Sequence, residues 1–209
     1  MSTVLAITSS ALGDASVSNQ LVDEAVTVLR SRDPGLRVTA RDLGQNPVPH
    51  FSLDSATAFG SAEPANDAQA AARSLSDQLV GEVRAADLIV IGAPMYNFGI
   101  ASTLKAWFDH VLRAGETFRY SAAGPEGLLT GKRALVIETR GGKYSEGPAA
   151  VMDSQEPHLR TLLNFIGISD VTFVRAEGLA IDPDTRSAAI EAARLKIGEL
   201  ANEPLLDAA

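Results

Sequence analysis

Five short apolar runs alternate with five longer stretches of helical period along this chain, and that alternation constrains the fold more than any other feature. The first run is Thr3-Val-Leu-Ala-Ile-Thr8. Leu21, Ala25, Val28 and Leu29 follow at i, i+4, i+7 and i+8, one face of a helix. Arg37 to Asp42 reads as a second strand, short and polar enough for a sheet edge. Leu75, Leu79 and Val83 space a second helix into Asp87 to Gly92, apolar on both faces as a central parallel strand is. Leu104, Phe108, Val111 and Leu112 mark a third helix ahead of the strand Ala134 to Thr139. Leu159, Leu162, Leu163 and Ile166 mark a fourth helix, stopped by Gly167 before the strand Val171 to Ala176. Ile190, Ala193, Ile197 and Leu200 close with a fifth helix, after which 202–209 is expected to fray.

Strict alternation of this kind implies an α/β fold: a doubly wound parallel sheet with helices on both faces. Right-handed crossovers leave few topologies, and five strands fit the order 2-1-3-4-5. Such sheets bind ligands beyond the carboxyl ends of their strands, at the switch point between strands 1 and 3. A length of 209 residues suits one domain over 1–209, and 45% hydrophobic with 21% charged residues excludes a disordered or fibrous chain.

With no cysteine, a disulfide framework, a thiolate metal site and a cysteine nucleophile are all excluded. The histidines, at 50, 110 and 158, lack ligand spacing, so no metal site is expected. A net charge of −8 argues against nucleic acid or anionic lipid as a partner. No basic side chain precedes Arg30, unlike a signal peptide, and the longest apolar run, Leu88 to Met95, is too short for a bilayer. A cytoplasmic protein with no membrane partner is the expectation.

Two long segments break the regularity. Residues 46–65 carry Pro47, Pro49 and Pro64 with Phe51 and Phe59; residues 114–130 carry Phe118, Arg119, Tyr120 and a Gly124-Pro125 turn. Long aromatic loops in compact domains serve as lids or interface arms. Phe51, Phe59, Phe118 and Tyr120 lie outside the regular layers of such a fold. On a monomer they would form an apolar patch, which a two-fold homodimer would cover.

The fold directs attention to the strand ends. After strand 1, Ser9, Ser10, Ser16, Ser18 and Asn19 place hydroxyl and amide donors beside a helix N-terminus, an anion site by geometry. One serine there would be a simple cap; this many favour phosphate. After strand 3, Gly92-Ala-Pro-Met-Tyr-Asn-Phe-Gly99 sets large apolar groups around an amide. That suits a flat heteroaromatic ring, or a hydrophobic edge packed on a neighbouring helix. After strand 4, Gly141 and Gly142 allow close backbone approach and Arg140 adds positive charge, unless the pair is only a turn.

Other features carry less. No G-x-G-x-x-G follows strand 1, which disfavours a dinucleotide. Gly127 to Arg133 resembles the end of a Walker loop, but Glu126 replaces its first glycine and Arg133 its Ser/Thr, so it reads as a turn. His110 and Asp109 are adjacent helical residues and do not face each other; a solvated helix edge is expected. His158 is expected at the surface, Trp107 in the core or a dimer contact, and 62–73 as a connector into a helix.

The chain resembles the family of FMN-dependent NADH-azoreductases, also called FMN-dependent NADH:quinone oxidoreductases, of flavodoxin-like fold. The likeness runs over nearly the whole sequence: Ser16-Val-Ser-Asn-Gln-Leu21, Arg41-Asp-Leu43 with Asn46-Pro47, Ala93-Pro-Met-Tyr-Asn-Phe98, Arg113-Ala-Gly115, Thr117-Phe-Arg-Tyr120, Gly124-Pro-Glu-Gly127, Arg140-Gly-Gly142 and Asn164-Phe-Ile-Gly-Ile168. The resemblance implies that Ser10 and Ser16, Val17 and Ser18 hold the phosphate of FMN. Met95, Tyr96, Asn97 and Phe98 would line its isoalloxazine, and Thr139, Arg140, Gly141 and Gly142 would reach the pyrimidine side. Phe118 and Tyr120 would meet substrate in a composite homodimer site. NADH would be the electron donor and a quinone or azo compound the acceptor, with the flavin carrying the chemistry and no dedicated catalytic acid or base. The competing reading is a one-electron carrier or redox-responsive flavin module.

Overall fold

The computed structural model describes residues 2–60 and 63–200. Strands β1 (Thr3–Thr8), β2 (Arg37–Asp42) and β3 (Leu88–Pro94) alternate with helices α1 (Val17–Arg32), α2 (Leu53–Ala58) and α3 (Asp67–Ala85). Helix α4 (Ser102–Val111) leads to a hairpin of β4 (Phe118–Ser121) and β5 (Gly124–Gly127). Strands β6 (Arg133–Thr139) and β7 (Asp170–Ala176) then flank α5 (Glu156–Phe165), and α6 (Pro183–Leu200) follows.

The main sheet is five-stranded and parallel, in the order β2-β1-β3-β6-β7. This is the expected 2-1-3-4-5 with the hairpin strands set aside. The period of two in β1, β3 and β6 sends alternate side chains to opposite faces. Leu5, Ile7, Ile89, Ile91 and Val136 pack under α3, α4 and α5, while Val4, Val90, Leu135 and Ile137 meet α1 and α6. Every residue of β3 is buried, as its unbroken apolar run requires. Gly92 allows α1 to lie this close: a Cβ there would stand 2.9 Å from Val22 Cγ2. Gly167, at φ +100°, ends the fourth predicted helix as expected.

Two expectations need correction. The connector expected over 62–73 is helix from Asp67 onward, because the Asn66 side chain accepts from Gln69 N and caps α3 there; Ala62 lies outside the described residues. The fraying expected over 202–209 also lies outside them. His110 is not on a solvated edge. It is buried, its Nε2–H donates to the Pro49 carbonyl at 3.1 Å, and Phe51 and Phe59 stand edge-on to its ring. Burial lowers its pKa, against smaller raising effects of that carbonyl and of Asp109. The 46–59 segment folds across α4 and covers it, a long-range event that helix spacing does not report. Trp107 is fully buried in the core, and His158 is half-buried.

Candidate active site

Three loops leave the carboxyl ends of β1, β3 and β6 and meet one another. The loop after β1 enters α1 at Ser16, whose side chain accepts from Asn19 N at 3.3 Å and touches Ser18 Oγ at 3.0 Å. Ser9, Ser10, Ser16 and Ser18 are all buried. The backbone N–H groups of Val17 and Ser18 have no backbone partner among the described residues. Two free amides at the positive end of a 16-residue helix, ringed by hydroxyls, are a donor set that could hold a phosphate without help from any lysine or arginine. Ser16 is thus both cap and part of the donor set.

The loop after β3 turns tightly. Tyr96 N donates to Gly99 O at 3.0 Å and Gly99 N returns to Tyr96 O at 3.1 Å. The two central residues, Asn97 and Phe98, have φ of +49° and +71°. Asparagine tolerates this conformation; a phenylalanine there is strained, and such strain concentrates at ligand sites. The turn presents Phe98 to solvent and sends the Tyr96 hydroxyl to Ser10 Oγ and Ala11 N, at 3.0 and 3.1 Å. Met95 N donates to Thr139 O at 2.9 Å, so the ends of β3 and β6 are stitched together as well.

After β6, the carbonyls of Arg140, Gly141 and Gly142 accept from Leu179, Ala180 and Gly178. The N–H groups of Gly141 and Gly142 have no partner among the described residues. Tyr144 folds back over this turn: a Cβ at Gly142 would meet its hydroxyl at 3.0 Å and its ring at 3.1 Å. Its ring also stands edge-on to Phe98, with centroids 6.0 Å apart.

Arg140 departs from expectation. Its side chain is fully buried and offers no free positive charge to a ligand. It bonds Glu138 at 2.8 Å, Asp153 and Glu177 at 3.0 Å, and Gln155 Oε1 at 2.9 Å. Only its backbone borders the site. Burial, reinforced by Glu156 and Asp153 and opposed by Arg140, pushes the Glu138 carboxyl up to about 8. Phe118 is also turned inward, against Phe165 with centroids 4.6 Å apart, because the hairpin seats it over α5; Tyr120 beside it is exposed. Tyr144, Asp153, Gln155 and Glu177 were not singled out from the sequence. Glu177 directly follows the last strand, and a reading of all five strand ends would have reached it.

The flavodoxin-like fold family matches residues 2–201. The chain belongs to that family. It is 52% identical over 201 residues to an FMN-dependent NADH:quinone oxidoreductase of Hyphomonas neptunium, covering 96% of each chain. It is 48% identical over 202 residues to FMN-dependent NADH:quinone oxidoreductase 2 of Pseudomonas fluorescens, covering 96% of this chain and all of that one. Among solved structures, an azoreductase from Bacillus anthracis superposes with a TM-score of 0.89 at 28% identity, over 97% of this chain and 99% of the other. An FMN-dependent NADH-azoreductase from the same species, in complex with FMN, gives 0.85 at 27% identity, over 97% and 100%. For this flavodoxin-like protein the donor set fits FMN: a monophosphate seat, an apolar turn and two unpaired glycine amides lie on adjoining loops.

Proposed function

We propose that this protein is an FMN-dependent NADH:quinone oxidoreductase that also reduces aromatic azo compounds, built as a single FMN-binding domain over 1–209. The observation that carries this reading is the junction of the phosphate seat with the Met95–Phe98 turn, made by Tyr96. In the net reaction NADH gives up a hydride and, with one proton from solvent, the quinone leaves as hydroquinone. FMN, when bound, supplies hydride acceptance and hydride donation at one ring.

The chain's own residues bind and orient. The Val17 and Ser18 amides and the Ser10, Ser16 and Ser18 hydroxyls would hold the phosphate. Met95, Tyr96, Asn97 and Phe98 would line the ring, and Tyr144 would help exclude water. The Thr139-to-Gly142 backbone would border the pyrimidine edge, where the Gly141 and Gly142 amides would favour negative charge developing on reduction. No side chain is needed as a general acid or base. One platform serving donor and acceptor in turn implies ping-pong kinetics.

Exposed Phe51, Leu53, Phe98 and Tyr120 support a homodimer with two composite sites, in which Tyr120 meets the acceptor. Cytoplasm is the proposed location; among the described residues no helix is long and apolar enough to cross a membrane. The test is anaerobic titration of the FMN-loaded protein with NADH, then initial rates against a quinone. Bleaching of the visible flavin band and parallel double-reciprocal lines are expected. Binding of FAD in preference to FMN would sink the cofactor assignment, and intersecting lines the single platform.

A further inference from the structure

Gln155 is fully buried at the start of α5, and both ends of its amide are engaged. Oε1 accepts from Arg140 Nε at 2.9 Å, and Nε2 donates to the Ala93 carbonyl at 2.8 Å. Ala93 immediately precedes the Pro94-Met-Tyr-Asn-Phe98 segment, and Arg140 immediately precedes Gly141-Gly142. One side chain therefore spans the roots of the two loops that would enclose the flavin ring. The position calls for an acceptor toward a cation and a donor toward a carbonyl. A carboxylate would set oxygen against oxygen at Ala93, and an ammonium would set charge against charge at Arg140.

The neighbours of Gln155 act in the same sense. Ser154 N donates to the Phe98 carbonyl at 3.0 Å, tying down the strained turn. Asp153 Oδ2 pairs with Arg140, while its Oδ1 accepts from Gln155 N and Glu156 N at 2.8 and 3.2 Å. Three consecutive residues thus contact both loops, and Gln155 contacts the two at once.

We propose that Gln155 is a positioning residue: with Asp153 and Ser154 it forms a brace that sets the separation of the Met95–Phe98 turn from the Gly141–Gly142 turn, and hence the width of the flavin slot. The inference rests on the FMN reading above. Gln155→Met keeps the side chain's length and removes both hydrogen bonds, leaving Arg140 Nε and the Ala93 carbonyl buried without their partner.

The experiment uses the full chain and titrates FMN and riboflavin by flavin fluorescence. It also measures the midpoint potential of the bound flavin and amide exchange of the flavin-free protein. Gln155→Met should weaken FMN and riboflavin by a common factor of about 10, because the ring slot and not the phosphate seat is altered. The potential should shift, and the hydrogen-bonded amides of the two turns, those of Tyr96, Gly99, Leu179 and Ala180, should exchange faster. Unchanged affinity and potential with only a lower Tm would overturn the brace. If Gln155→Met does not fold, Asp153→Asn, which keeps its Oδ1 acceptor, should move the same readouts by about 3-fold; no movement overturns the proposal. A wild-type chain that binds neither flavin would refute the FMN reading itself. Amide exchange, which needs no flavin, still decides the brace.

Discussion

The Tyr96 hydroxyl lies 3.0 Å from Ser10 Oγ and 3.1 Å from Ala11 N, joining the loop after β1 to the loop after β3 across the switch point of the sheet. Ser10 Oγ in turn accepts from Leu12 N at 3.2 Å, so one phenol orders a three-residue stretch of the loop after β1. Tyr96→Phe removes that link and keeps the ring. FMN affinity is expected to fall about 5-fold, read by fluorescence titration, with little change in acceptor KM once the flavin is saturating.

Phe98 at φ +71° carries a strain that glycine would not feel. Its side chain is 42% exposed, so the strain relieved offsets the partial burial lost on removing it. Phe98→Gly should therefore keep or raise the Tm while lowering quinone reductase kcat/KM by about 10-fold, since the apolar face is lost. A large fall in Tm would show that Phe98 serves stability and not the site.

Glu138 makes stability depend on pH. Its carboxyl rises from the ordinary 4.5 to about 8, chiefly through burial, and its Oε1 has no partner. Between these values the folded state holds a proton that the unfolded chain has released. Stability therefore falls as pH rises through this window and is flat above it. Glu138→Gln should remove that slope. Relative to wild type, the variant's Tm should gain about 10 °C between about pH 5 and about pH 8.

The sheet was legible because β3 is apolar throughout and the flanking helices carry clean apolar stripes. The serine-lined N-terminus of α1 was legible because the cap and its neighbouring hydroxyls lie within one short segment. Arg140 was misread for the opposite reason. Its side-chain partners include Gln155 and Glu177, 15 and 37 residues further on, and nothing near Arg140 in sequence announces them. The hairpin was missed because Gly124-Pro-Glu-Gly127 has no strand propensity of its own and forms β5 only by pairing with Phe118 to Ser121. The burial of His110 depends on Pro49, 61 positions away.

Tyr120 tests the composite site. It is 73% exposed on the hairpin, leaning edge-on against the buried Phe118 with centroids 5.6 Å apart. A side chain so placed contributes little to the core, so Tyr120→Ala should fold normally. None of the three loops proposed to hold FMN includes it, so FMN affinity should stay within about 2-fold of wild type. If a second copy brings Tyr120 over the ring platform, acceptor KM or kcat should change by about 10-fold, the scale of one lost aromatic contact. Light scattering should report a dimer for both proteins. A monomer with full quinone reductase activity would refute the composite site, and a dimeric variant with unaltered acceptor kinetics would place Tyr120 outside it.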